Sequence, residues 1–299
     1  DLYGLVLAGI GLAGIAFGLS VAGLNLLPWP IIVGLVAIGS IAMTLYVIHA
    51  RRTGSPVLDF SLLRLLTLRA SIVGGFLFRV GIGALPFLLP LLIQIGFGLS
   101  PFRSGLVTFA SAAGAMGMKT LAGRIIRAFG FRKTMTVNAI ISSFLLAACA
   151  LFTTSTPLLL IMIILVVGGF FRSLEFTAIN TVAYAEVEPG QMSRATTLVS
   201  VNQQLAISAG VAVGAFSVES TMLWRHASEL DATMFAPAFL VVAVISATSA
   251  WFFWQMPDDA GHEISGRQAV EISSRKAAAK AAAKAASETT EDARDQRLG

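Results

Sequence analysis

Of 299 residues, 56% are hydrophobic and only 12% charged, with a formal net charge of +5. Soluble domains carry about 25% charged residues, so this composition, with a mean hydropathy of +0.81, excludes an ordinary soluble domain and points to an all-α integral membrane protein. The single cysteine, Cys149, excludes a disulfide framework, and His49, His226 and His262 lie too far apart for metal-ligand spacing; no metal and no cofactor is implied.

A membrane-spanning helix needs about 20 mainly apolar residues. Eight segments qualify, at residues 3–22, 29–49, 71–95, 104–122, 134–152, 158–183, 195–217 and 235–255. The chain opens on Asp1 and turns apolar at once, without the basic stretch and cleavage site of a secretory leader. The first segment is therefore read as a span, and the chain as a piece whose upstream part is missing. Residues 1–50 form a hairpin of two spans, with Trp29 as an interface anchor.

Residues 51–70, "RRTGSPVLDFSLLRLLTLRA", read as a cytoplasmic linker. Its apolar Val57, Phe60, Leu62 and Leu65 alternate with Asp59, Arg64 and Arg69, as in a short amphipathic element at headgroup level. Residues 71–256 hold the other six spans. Pro86 and Pro90 are expected to bend the first of these, and "WFFW" at 251–254 is a second interface anchor. Residues 257–299 are Ala/Lys-rich and then acidic, with no apolar stripe, and read as a solvated, disordered or partly helical cytoplasmic tail.

The basic residues set the orientation. Arg51, Arg52, Arg64, Arg69, Lys119, Arg124, Arg127, Arg132, Lys133 and Arg194 flank one side of the spans; only Arg103 and Arg225 flank the other. The richer side is cytoplasmic, which with eight spans makes both ends of the chain cytoplasmic. The positive charge is thus accounted for by the lipid bilayer, and no nucleic-acid partner is implied.

Ionisable residues inside spans are costly, rare and functional by default. Arg79, Arg172 and Glu175 are the three at depth. Arg79 lies ten residues beyond Arg69, roughly 15 Å along a helix at 1.5 Å per residue. Arg172 and Glu175 are three apart, so one helix face carries both and they can pair. Three readings stay open: a proton-coupling cluster in a central cavity, a structural ion pair that orders helix packing, or side chains that snorkel to an interface. Gln94 and Asn180 are further polar candidates, beside Asn138, Asn202, Gln203 and Gln204, although amides in spans more often bond across helices. Phe76, Phe87 and Phe171 are aromatic candidates for a lipophilic substrate. No catalytic constellation appears, and an enzyme is not expected.

The stretch "AGRIIRAFGFRKT" at 122–134 resembles the G-x-x-x-D-R-x-G-R-K signature of the major facilitator superfamily, in its second-half copy. Gly123, Gly130, Arg132 and Lys133 fit it, the last two displaced by one place. Arg127 stands where the family has Asp, and Ala128 where it has Arg. The signature implies a very short cytoplasmic loop between two close-packed helices. Three further stretches, "DLYGLVLAGIGLAGIAFGLS", "FGLSPFRSGLVTFASAAGA" and "SRATTLVSVNQQLAISAGVAVGA", are similar to the fourteen-helix drug:proton antiporter branch. The last of them has Gln203 in place of Arg, and Ala206 and Ile207 in place of glycines.

This resemblance implies that the first two spans are that branch's extra hairpin and the next six its C-terminal six-helix half. It implies a secondary active transporter of the inner (plasma) membrane. The partners implied are a small-molecule substrate, protons and the missing N-terminal half of the same transporter, with transport by alternating access at a midplane site. The cavity helices would be the third and sixth spans, those that carry Arg79 and Arg172/Glu175. A membrane sensor that reuses the fold without transporting is the alternative.

Overall fold

A computed structural model describes residues 1–22, 27–54, 56–227 and 229–261. They are helical, with no strand among the described residues. Residues 262–299, on which most of the tail reading rests, lie outside the described residues.

The elements are α1 (Leu2–Ala22), α2 (Trp29–Ala50), α3 (Leu66–Gly83), α4 (Leu85–Leu91), α5 (Pro101–Met118), α6 (Ala122–Phe129), α7 (Phe131–Ala148), α8 (Leu158–Val182), α9 (Met192–Trp224) and α10 (Phe235–Trp254). Among the described residues seven helical stretches are long and apolar enough to cross a membrane: Leu2–Ala22, Trp29–Ala50, Leu66–Gly96, Phe131–Leu151, Leu158–Val182, Pro189–Trp224 and Ala232–Trp254. Seven of the expected spans fall on them. The eighth, 104–122, falls on α5, which is helical but not among the seven. Arg103, Ser104, Thr108 and Ser111 dilute its apolar character.

Proline sets the break in the first span of the bundle. α3 stops at Gly83, Pro86 occupies the first turn of α4, Pro90 lies inside it, and a wide turn over Leu92–Gly96 follows. Each proline lacks the N–H that would bond back four residues, so the ladder is reset twice.

Large apolar side chains face outward along the helices, among them Val33, Ile38, Phe102, Phe144 and Trp224. Lipid is as apolar as leucine, so these faces gain nothing by packing inward. Helix association in a membrane rests on close backbone approach and interhelical hydrogen bonds instead. Close approach is clearest between α5 and α8: a Cβ at Gly169 would collide with the Ser111 carbonyl, and one at Gly114 with the Val166 carbonyl. Hydrogen bonds tie α3 to its neighbours. Ser71 Oγ donates to the Ile179 carbonyl of α8 at 3.0 Å, and Asn202 Nδ2 of α9 donates to the Ile72 carbonyl at 3.0 Å.

The hairpin α1–α2 leans on the bundle through α1 against α9. The linker is tied to the bundle as well. Asp59 caps a short 3-10 turn over Phe60–Arg64 by accepting from the Ser61 N–H, Arg194 of α9 donates to Asp59 at 3.3 Å, and Leu62 packs among Ala183, Val187 and Ala195. Phe60 and Leu66 are left exposed.

Candidate functional site

Among the described residues, the charged residues buried as a whole are Arg79, Arg172 and Glu175. These are the three the sequence singles out. The structure divides them between two places.

The first place joins α3, α7 and α8. Arg79 and Glu175 are each 0% exposed. Arg79 Nη2 donates to Asn180 Oδ1 at 2.7 Å, and the guanidinium carbon lies 5.5 Å from the centre of the Phe176 ring, within cation–π range. Glu175 Oε2 accepts from Asn138 Nδ2 at 2.7 Å, and the same amide nitrogen donates to the Phe171 carbonyl at 2.8 Å. Arg79 and Glu175 attract each other electrostatically without forming a direct ion pair.

Several polar atoms in this cluster have no partner: Glu175 Oε1, Arg79 Nε and Nη1, and Asn138 Oδ1. Unpartnered buried polar atoms are expensive, and more so when charged. The cluster therefore holds both an oxygen that a proton could neutralise and a guanidinium with spare donors.

The second place joins α5 and α8. Arg172 Nη2 donates to Ser111 Oγ, and the guanidinium lines a pocket of about 260 Å³ between α4, α5 and α8. Arg172 and Glu175 do not pair. Although they share one stretch of α8, Arg172 turns to α5 while Glu175 turns to α7.

A common local rule seats both arginines. Helical side chains lean toward the N-terminus and over the residue four places earlier. That residue is glycine in each case. Arg79 Nη1 lies 2.7 Å from where a Cβ of Gly75 would stand, and Arg172 Nη1 lies 3.0 Å from that of Gly168. Each glycine leaves room for the arginine of its own helix.

The other sequence candidates fall in various places. Asn180 joins the first cluster as the Arg79 acceptor, and Phe171 contributes its carbonyl there while its ring meets Phe170 edge-on. Gln94 donates to Ser104 at 3.3 Å, outside both places. Phe87 packs against a core to which α4, α5, α7, α8, α9 and α10 contribute, and Phe76 is half-buried on α3. Asn138 and Ser111 carry more of the geometry than these. Asn138 was visible as an amide at depth; Ser111 was visible only as one small residue in the run of α5.

The loop motif is more structured than the short loop expected. Residues 122–129 make the amphipathic helix α6, with Ala122 and Ile126 buried. Gly130 follows with φ +78°, a left-handed conformation that glycine adopts without strain. Arg127 Nε bonds to the Gly123 carbonyl at 3.2 Å and is exposed, as is Lys133. Arg132 pairs with Asp258 at 2.8 Å and lies over the Trp254 ring at 5.9 Å, which ties the start of α7 to the end of α10.

Comparison with known proteins gives a consistent picture. A family model described as Major Facilitator Superfamily matches residues 2–211 and 71–289. The chain is 31% identical over 285 residues to "Putative multidrug resistance protein MdtD" of Escherichia coli O139:H28 (strain E24377A / ETEC), and to the proteins of the same name in Escherichia coli (strain K12) and Shigella boydii serotype 18. The match covers 93% of this chain and 58% of each relative, so the chain spans a little over half the length of the curated relatives it matches.

Proposed function

The chain belongs to the major facilitator superfamily, and on that premise we propose that it is the C-terminal part of a proton-coupled efflux transporter for drugs or other amphipathic small molecules. The family and the apolar helices make it a multi-pass membrane protein of a transporter family. The relatives' description as multidrug resistance proteins supports efflux as the direction and the inner membrane as the location.

The observation that carries the coupling role is the enclosed cluster of α3, α7 and α8. Glu175 is 0% exposed, its Oε2 is held by Asn138, and its Oε1 is unpartnered. A carboxylate in this position gains a proton whenever Arg79 is drawn away, and loses it when Arg79 comes close, because a nearby cation favours the charged form. Alternating access supplies such a motion if α3 and α8 shift against each other. In this reading α5 is the eighth span, the basic side is cytoplasmic, and the six helices from α3 onward, with α4 and α6 as breaks and joints, form one half of a cavity. The other half is contributed by sequence outside this chain.

A second reading, a membrane sensor that reuses the fold without transporting, rests on the complete burial of Arg79 and Glu175. Inside-out vesicles carrying the whole transporter separate the two. With an acid-inside pH gradient imposed, and a panel of amphipathic cations and anions offered outside, a transporter accumulates at least one probe and loses it when the gradient is collapsed. Absence of gradient-driven accumulation across the panel would favour the sensor.

A further inference from the structure

We propose that the pocket between α4, α5 and α8 is an anion subsite, with Arg172 as the residue that meets the negative charge, and that the transporter's substrates include compact or amphipathic carboxylates. The proposal deepens the transport reading and rests on it for the word substrate; the subsite itself stands on the geometry of this chain.

Arg172 is 8% exposed and is one of the residues that line the pocket. Among the described residues its hydrogen-bond partner is the hydroxyl of Ser111. Among the described residues no carboxylate pairs with it. A guanidinium offers five N–H donors in a planar fork that matches a carboxylate in bidentate fashion. One donor is used by Ser111, and a fork with spare donors is left at the pocket wall.

The rest of the lining fits an anion with an apolar body. Ser111 of α5 supplies a hydroxyl beside Arg172, Thr108 lines the pocket with its own hydroxyl donating to the Gly105 carbonyl, and Leu89, Pro90 and Leu165 supply apolar surface. A charge held in apolar surroundings is strongly drawn to an opposite charge, and a cation would be repelled. Arg79, the other buried arginine, already has Asn180 and the field of Glu175, whereas no counter-charge pairs with Arg172 among the described residues.

Size sets the class further. At about 260 Å³ the pocket falls below the roughly 300–1,000 Å³ of sites that enclose a drug-sized molecule. It takes one ring or one head group, with any longer apolar tail left outside. The two prolines of α4 keep the apolar wall irregular there, and the close α5–α8 contact at Gly169 and Ser111 holds the polar wall in place.

The test is equilibrium binding of radiolabelled benzoate to the purified chain in lipid nanodiscs. Unlabelled benzoate, benzamide and benzylamine serve as competitors of one shape and three charges. Saturable binding that benzoate displaces, and that benzamide and benzylamine do not displace at the same concentration, is the result expected. Arg172→Gln is expected to weaken benzoate binding about tenfold or more, the loss of charge-assisted hydrogen bonds, and Arg172→Lys to keep part of it.

Thr108→Leu, which keeps the arginine and fills the pocket edge, is expected to weaken binding too, so the location is tested even if Arg172→Gln fails to fold. Equal displacement by benzamide, no saturable benzoate binding, or unchanged binding in the folded variants would overturn the proposal. Gradient-driven transport without benzoate binding would remove the subsite and leave the transport reading intact. Benzoate binding with no gradient-driven transport by the whole transporter would do the reverse.

Discussion

Asn138 is the residue on which the enclosed cluster turns. Its amide nitrogen is the donor that holds Glu175 Oε2, and it also reaches the Phe171 carbonyl. Asn138→Leu leaves a buried carboxylate without its hydrogen bond, which costs roughly 1–3 kcal/mol or more for a charged group. A lower thermal unfolding midpoint of the detergent-solubilised chain checks this. Asn138→Asp is expected to be worse, since it sets a second acid beside Glu175.

Asp59, outside the spans, gives a pH-dependent case. Burial pushes its carboxyl up, but hydrogen bonds from Ser61 and the Arg194 guanidinium outweigh this and hold it below the ordinary 3.8. A carboxyl lowered in the folded state contributes above its unfolded value and loses that contribution as pH falls through the folded value. Asp59→Asn is therefore expected to cost no more than about 1 kcal/mol at neutral pH, as for a partly exposed pair. The difference should shrink as pH falls below the ordinary 3.8 and vanish once Asp59 is protonated in the folded state too, read as unfolding midpoints across an acid pH series.

At this scale the sequence identifies the three buried charges without help, because an ionisable residue in an apolar run stands out. It does not reveal their partners. Spacing of three allows Arg172 and Glu175 to meet, yet which helices flank each side of α8 decides where the side chains go. The Gly75–Arg79 and Gly168–Arg172 steps, each a glycine four places ahead of an arginine, are a signal that can be read from sequence once the N-terminal lean of helical side chains is considered.

Among the elements, α5 and α8 form the contact with least room. Gly169 faces the Ser111 carbonyl and Gly114 the Val166 carbonyl, both too close for a Cβ. Gly169→Leu is expected to wedge the two helices apart, at about 1–3 kcal/mol or more for overpacking. The measurement is again the unfolding midpoint, with benzoate binding as a second readout because Ser111 would move away from Arg172. The helices themselves are largely legible, since hydropathy over some 20 residues is a strong signal.

Where the reading falls short, the reasons are local. α5 packs its small and polar residues on α8, so its hydropathy is lower than that of its neighbours. The loop motif folds into α6, because Ala122 and Ile126 find apolar surface to cover. The turn over Leu92–Gly96 follows from two prolines whose combined effect on the ladder depends on the contacts around them.

For the whole molecule, the proposal is that the chain forms one half of a transporter. The match covers 58% of the relatives' length, and the proposed passage needs a second half to face α3 and α8. The chain reconstituted alone is expected not to drive transport, and gradient-driven accumulation by it at the rate of the whole transporter would end the half-cavity reading. The family was legible from short stretches, since glycines and basic residues at a cytoplasmic turn are a pattern with physical cause. The substrate was not, because pocket shape and unpaired charge exist only after the helices are packed.

Coupling through Glu175 is the central claim, and it can be tested in the whole transporter. Proteoliposomes carrying the parent protein or Glu175→Gln would be compared in two modes: accumulation of a transported probe driven by an imposed pH gradient, and exchange of labelled for unlabelled probe at equal pH on both sides. Loss of gradient-driven accumulation with exchange retained is the expected result, since exchange needs the conformational cycle but no net proton movement. Gradient-driven accumulation by Glu175→Gln equal to that of the parent would contradict the account.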